Sequence, residues 1–351
     1  MQWDLYCRVV DNLGDIGVAW RLAADLAGRG ESVRLAVDDA GALAWMAPRG
    51  APRVEVVGWD GPRAGAPDVV VELFGGGLPR GARSQQKAVV VNVEHLTAEP
   101  YAERSHGLPS PTAHPGEPPA TTWFYFPGFS PASGGLLREP DLIERRRRFG
   151  DGTAWLASLG VVPQPGERRV VLFSYRNDAI EALLDRLAAS PTLLLATPGH
   201  ATEQVQAFLG PSLARAALRA VALPWLAQDD FDRLLWSSHL NLVRGEDSLV
   251  RAIWAGAPFL WQLYVQDDGA HLAKLDAFLD CYLRPADAAA AAAVRSAFRR
   301  WNGEPAASLA ALDAGAPLGA AWSAHALAWR DAQASQSDLA TRLLAFVEGK
   351  R

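Results

Sequence analysis

Three short stretches concentrate the residues able to do chemistry. In VVDNLGDIGVAWRL, residues 9–22, Asp11 and Asp15 flank Asn12 and Gly14. Two carboxylates in a strand-to-helix turn suit holding a cationic or proton-donating group, or general base work, and make a poor phosphate cradle. Ordinary turn chemistry explains them as well, since Asp and Asn satisfy turn backbone and an acid suits a helix start. In VRGEDSLVRAIWAGAPFLWQLY, residues 243–264, Arg244, Gly245, Glu246, Asp247 and Ser248 form a turn into a helix. Asp247 or Ser248 is expected to cap that helix. Its free N–H groups and Arg244 make an anion site fit for phosphate. Glu246 must then do something else, such as holding sugar hydroxyls or orienting a cationic acceptor. The competing explanation is a surface Arg–Asp ion pair, which is common and weak.

The third stretch is LFSYRND, residues 172–178. Phe173 and Tyr175 lie two apart, so on a strand they share one face and can sandwich a flat ring. Core packing accounts for them equally well. Gln228 and Phe231 in LPWLAQDDFDRLLW can face the same crevice, with the Gln amide reading a base edge. Other chemistries find no support. The seven His (95, 106, 114, 200, 239, 271 and 325) show no H-x-x-x-H or H-E-x-x-H pairing, so no metal is expected. G-x-S-x-G, the P-loop and G-x-G-x-x-G are all absent.

These turns need strands and helices to present them. LYCRVVDN reads as a strand, and GVAWRLAADLAGRG as a helix with Val18, Leu22 and Leu26 on one stripe. SVRLAVDD, RVEVVGW, DVVVELF and KAVVVNVEHL follow as strands, the last two with the continuous apolar runs of a buried parallel sheet. Residues 107–120, GLPSPTAHPGEPPA, are expected to be loop. A charged helical stretch, DLIERRRRFGDGTAWLASLG, leads to the domain boundary. The second half restarts the strand–helix alternation at RRVVLFSYRND. The expectation is an α/β protein of two Rossmann-like domains, 1–155 and 156–351, facing across a cleft. The last helix, ATRLLAFVEG, is amphipathic and can cap either domain.

Composition agrees. A chain of 351 residues exceeds the roughly 250–300 at which single cores stop growing. Its net charge of −5 argues against bulk binding to nucleic acid or anionic membrane. Cys7 and Cys281 are too few for a disulfide framework. No apolar run reaches the ~20 residues of a membrane span, and no signal peptide is legible, so a cytoplasmic protein is expected. The 13 Trp are many for this length; Trp20, Trp254 and Trp261, in or just after the two turns, are expected to support the core.

VVDNLGDIGVAWRLAADLA, the HGLPSP and FYFPGF–GGLLRE stretches, and NLVRGEDSLVRAIWAGAPFLWQLYVQDDGAHLAKLDAFL closely resemble the bacterial protein-arginine rhamnosyltransferase family EarP, which modifies translation elongation factor P. The resemblance implies a GT-B glycosyltransferase without a metal requirement or other cofactor. It would transfer L-rhamnose from dTDP-β-L-rhamnose to an arginine side chain of that factor, with inversion. Carried over, Phe173, Tyr175, Gln228 and Phe231 would surround the thymine. Arg244, Asp247 and Ser248, with Gly245 in the same turn, would engage the diphosphate. Asp11, Asn12, Asp15 and Glu246 would form the reaction centre, with Asp15 as general base and Asp11 able to exchange roles with it. VELFGGGLP (71–79) departs from the family's pattern without touching these residues. Two alternatives stand beside this one: another metal-independent GT-B enzyme with a small-molecule acceptor, and a non-catalytic nucleotide-sugar sensor.

Overall fold

The computed structural model describes residues 1–11, 13–61, 65–80, 82, 88–112, 120–265, 269–313 and 317–351. The chain divides into two compact units, Met1–Pro140 with Gln333–Arg351, and Asp141–Ala332.

The first unit contains β1 (Gln2–Cys7), α1 (Gly14–Gly28), β2 (Ser32–Val37), α2 (Leu43–Met46), β3 (Val54–Gly58), β4 (Val69–Leu73), β5 (Val89–Val93), α3 (Pro100–Ser105), β6 (Pro109–Thr112) and β7 (Ala120–Tyr125). The strand order is β3-β2-β1-β4-β5-β7-β6. All pairings are parallel except β6 with β7. The valine runs of β4 and β5 are buried throughout, as a sheet covered on both faces requires. Strand order reverses between β1 and β4, and loops at the carboxyl ends beside such a reversal are where open α/β sheets take ligands. The loop after β1 is the Asp11–Asp15 turn. Residues 107–120 are not all loop: β6 comes from that Pro-rich stretch, as an edge strand where proline is tolerated.

The second unit contains α4 (Leu142–Phe149), α5 (Thr153–Ser158), β8 (Arg168–Leu172), α6 (Ile180–Leu187), β9 (Thr192–Ala196), α7 (His200–Leu209), β10 (Ala214–Arg215), β11 (Leu218–Ala222), α8 (Gln228–Trp236), β12 (Leu240–Arg244), α9 (Gly245–Ala255), β13 (Phe259–Gln262), α10 (Ala270–Tyr282) and α11 (Ala288–Trp301). Its sheet runs β10-β11-β9-β8-β12-β13, parallel apart from the short β10. The reversal lies between β8 and β12. Their carboxyl ends carry LFSYRND and RGEDS, so the order of strands brings these two stretches together.

The dividing point, Pro140, precedes the expected 155. The reason is aromatic packing: Phe149 of α4 meets Trp236 of α8 at 5.4 Å and Trp155 of α5 at 6.2 Å, which assigns both helices to the second unit. The chain leaves that unit through α12 (Pro317–Ala334), and α13 (Leu339–Glu348) belongs to the first. Leu339, Ala340, Leu343 and Val347 join the core around β1. Arg29 at the end of α1 holds both Asp25, at 2.9 Å, and Asp338, at 2.8 Å. Burial pushes the Asp25 carboxyl up to about 6 despite this partner.

Among the described residues, each unit holds a deeply buried ion pair. Asp4 on β1 and Arg34 at the paired position of β2 share two hydrogen bonds of 2.6 and 2.9 Å. Asp232 on α8 and Arg251 on α9 share two of 2.8 and 2.5 Å, each residue 1% exposed. Removing one partner leaves a charge without compensation in a dry interior. Arg251→Met is therefore expected to cost about 3–5 kcal/mol in urea unfolding, and Asp232→Leu with Arg251→Met together should recover most of it.

Candidate functional site

At the first sheet's reversal, Asp15 turns back over the loop that precedes its helix. Its Oδ2 accepts the N–H groups of Val10 and Asp11, both at 2.9 Å, and the residue is 8% exposed. The Asp11 carbonyl in turn accepts from Gly14 at 2.7 Å and Asp15 at 3.3 Å. Gly14 lets the Asp11 carboxylate lie close to the start of α1, since a Cβ there would come 2.5 Å from Asp11 Oδ2. Burial raises the Asp15 pKa; the two N–H donors and His95 oppose the rise, and Asp11 adds to it. A more basic carboxylate is a better proton acceptor. Neither acid caps α1, whose N-cap is Leu13 without a side-chain bond. Asn12 lies outside the described residues.

The neighbouring loops add groups that sequence inspection missed. Phe74, after β4, adopts φ +60° and stacks on His95, after β5, at 4.7 Å and 17°. Glu72 accepts the Gly77 N–H at 2.9 Å, and Glu94 accepts from Asn92 at 2.7 Å. Burial raises the Glu94 pKa. The GGG segment passes close to Arg8, three residues before Asp11: a Cβ on Gly76 would come 3.3 Å from the Arg8 Cβ. The carboxyl edge of this sheet is thus strongly acidic. Only the strand order reveals the grouping.

At the second sheet's reversal a guanidinium lies among aromatic rings, with Glu246 and Asp247 in the same turn. The Arg244 guanidinium lies 4.7 Å from the Phe173 ring centre and 4.3 Å from that of Tyr175. Phe231 meets Phe173 edge-on at 5.3 Å, and Tyr264 meets Tyr175 at 5.6 Å. Phe173 and Tyr175 do not share a strand face, because β8 ends at Leu172 and both stand in the loop beyond it. Phe173 donates its N–H to the Leu242 carbonyl on β12 at 2.8 Å, and Gln262 holds the Tyr175 end of the loop. It occupies the β13 position paired with Arg244, is 5% exposed, accepts the Tyr175 N–H at 3.0 Å and donates to the Arg176 carbonyl at 3.1 Å. No motif marked it, because a buried glutamine acquires this meaning only from its neighbours.

Gly245 begins α9 with φ +68°, a conformation that favours glycine. Neither Asp247 nor Ser248 caps this helix. The N-cap is Arg244, and the buried Ser248 hydroxyl donates back to the Arg244 carbonyl. Asp247 lies in the first helical turn. Glu246 accepts from Lys274 on α10 at 2.7 Å, another contact sequence reading missed. Gln228 is the first residue of α8, one turn before Phe231 and Asp232. Trp261 donates to the Gly245 carbonyl at 2.9 Å; it, Trp254 and Trp20 are buried supports, as expected. A cation, a helix N-terminus and aromatic faces together suit an anion that carries a flat ring. Among the described residues, no group of three or more His, Cys, Asp or Glu is arranged to hold a metal, and no helix is long and apolar enough to cross a membrane.

Comparison with known proteins adds the family. Residues 3–348 match the family described as "Elongation-Factor P (EF-P) rhamnosyltransferase EarP". A protein-arginine rhamnosyltransferase of Pseudomonas aeruginosa is 43% identical, over 98% of each chain. A solved structure described as the "structural basis for EarP-mediated arginine glycosylation of translation elongation factor EF-P" aligns over 100% of this chain and 99% of the other, at 33% identity and TM-score 0.68. The spinosyn rhamnosyltransferase SpnG, with 14% identity, covers 98% of this chain and 99% of its own at TM-score 0.56, and shares the GT-B fold.

Gln262 generates the prediction for this site. Gln262→Leu removes both bonds to the loop and should weaken nucleoside diphosphate binding roughly tenfold by calorimetry, the equivalent of about 1–1.5 kcal/mol.

Proposed function

The chain belongs to the EarP family of elongation factor P rhamnosyltransferases, and we propose that it moves L-rhamnose from dTDP-β-L-rhamnose to an arginine of that factor with inversion. The observation that carries the residue-level mechanism is the contrast between what the two carboxyl edges present, carboxylates at one and a guanidinium among aromatic rings at the other. One gathers Asp11, Asp15, Glu72 and Glu94; the other sets Arg244 and the α9 N-terminus beside Phe173 and Tyr175. An acidic edge suits a cationic acceptor, and the other suits a nucleotide. Full-length similarity to protein-arginine rhamnosyltransferases disfavours both a small-molecule acceptor and a non-catalytic sensor.

In this proposal Phe173, Tyr175, Gln228 and Phe231 take the thymine. Arg244, Gly245, Asp247 and Ser248 line the diphosphate, with backbone N–H groups of α9 as donors. A protonated guanidinium is a poor nucleophile because its charge spreads over three nitrogens. Asp11, Asn12 and Glu246 hold it so that one nitrogen faces the anomeric carbon. As that nitrogen forms its bond to carbon, the bond from carbon to the diphosphate oxygen breaks, and Asp15 takes the departing proton. Arg244 and the helix N-terminus stabilise the leaving diphosphate, a task a divalent ion performs elsewhere.

Incubating the protein with elongation factor P and dTDP-rhamnose should add the mass of one deoxyhexose to the factor. No mass change would overturn the substrate assignment. Asp15→Asn should lower transfer by a factor of roughly 100 to 10,000 while dTDP still binds; near-normal turnover would remove Asp15 as the base. The base acts ionised, and burial holds its pKa up. Activity should therefore fall on acidification at a higher pH than the ~3.9 of a free aspartate would give, a shift readable in the kcat profile.

A further inference from the structure

Lys274 stands where a cation is unfavourable unless an anion joins it. It reaches from α10 to Glu246 at 2.7 Å, with side chains 21% and 17% exposed. Glu246 lies in the first turn of α9, the positive end of that helix, and Arg244 immediately precedes it. A lysine drawn to a helix N-terminus places like charge beside like. Glu246 offsets that cost here. A diphosphate would offset it better, because it brings more charge to the same backbone N–H groups.

We propose that Lys274 is a second diphosphate-binding residue that exchanges partners during the reaction cycle. Donor phosphate takes the ammonium, and Glu246 is released to hold the acceptor guanidinium. This inference rests on the role given above to Glu246. No covalent step is involved; one charge-assisted hydrogen bond is traded for another. The exchange has a thermodynamic consequence. If the diphosphate frees the carboxylate that the acceptor needs, each ligand must tighten the binding of the other by the same factor. Donor binding then prepares the acceptor site, and the acceptor is kept from occupying an empty enzyme unproductively.

Calorimetry with dTDP and elongation factor P tests this in the full-length protein. In the wild type, saturating dTDP should tighten binding of the factor by about tenfold, within the usual range of such couplings. Lys274→Met should weaken dTDP roughly ten- to a hundredfold, as expected for a lost charge-assisted bond, and make the factor's affinity independent of dTDP. Lys274→Arg should restore part of the coupling. A lysine with only a structural role would lower thermal stability and leave the coupling intact. Wild-type coupling and dTDP affinity in Lys274→Met, or no coupling in the wild type, would overturn the exchange. Glu246→Gln separates the two ideas. It should weaken the factor with or without dTDP while dTDP still binds. Unimpaired acceptor binding and turnover in Glu246→Gln would remove the role of Glu246 itself, whereas an impaired Glu246→Gln beside a normal Lys274→Met removes the exchange alone.

Discussion

Asp232 and Arg251 meet in a dry interior where either charge alone would be intolerable. Their two short hydrogen bonds match a planar guanidinium to a planar carboxylate, and so fix distance and rotation together. This pair joins the middle of α8 to the middle of α9. On α8 Phe231 is the adjacent residue and Gln228 lies one turn earlier; one turn earlier on α9 is the Glu246–Ser248 segment. Locking the helices to each other therefore sets Phe231 relative to the turn that ends β12. The net contribution of such a pair to stability is small, since desolvation consumes most of the attraction. Its value lies in geometry, because few arrangements other than this one keep both groups satisfied.

The same economy of position governs the aromatic cluster. The Arg244 guanidinium lies against two ring faces, which attract a cation through their π electrons. Gln262 holds the loop that carries one of those rings. At the opposite pole of the chemistry, Asp15 is set by two backbone donors at a single oxygen, so the turn and its carboxylate order one another. Each of these groups is thus oriented by its immediate neighbours.

Much of this was legible in the linear chain because the period of apolar residues is set by burial. The valine runs of β4 and β5, and the stripe Val18, Leu22 and Leu26, announced elements that the structure contains. RGEDS and the paired acids stood out because several polar side chains with defined hydrogen-bonding capacity fall together in one strand-to-helix turn. What escaped were features created by pairing across the sheet. Gln262 beside Arg244, and His95 near Asp15, become neighbours only through strand order. Helix caps were misjudged for a related reason. Asp15 and Ser248 spend their oxygens on earlier backbone, a choice that depends on loop geometry rather than residue type. The boundary between units escaped because Phe149 packs on a tryptophan 87 positions later.

The two prolines of β6 reach beyond their local conformation. Phe124 donates to Leu108, and Ser110 is paired with Thr122. In an antiparallel ladder the inward and outward N–H positions alternate, so Pro109 and Pro111 fall where amides would point away from β7. Proline has no amide hydrogen to offer. The outermost strand of a seven-stranded sheet therefore presents a rim poor in donors, on which another extended chain gains little purchase. Residues that at first mark only an absence of regular structure protect the sheet from unwanted growth at its edge.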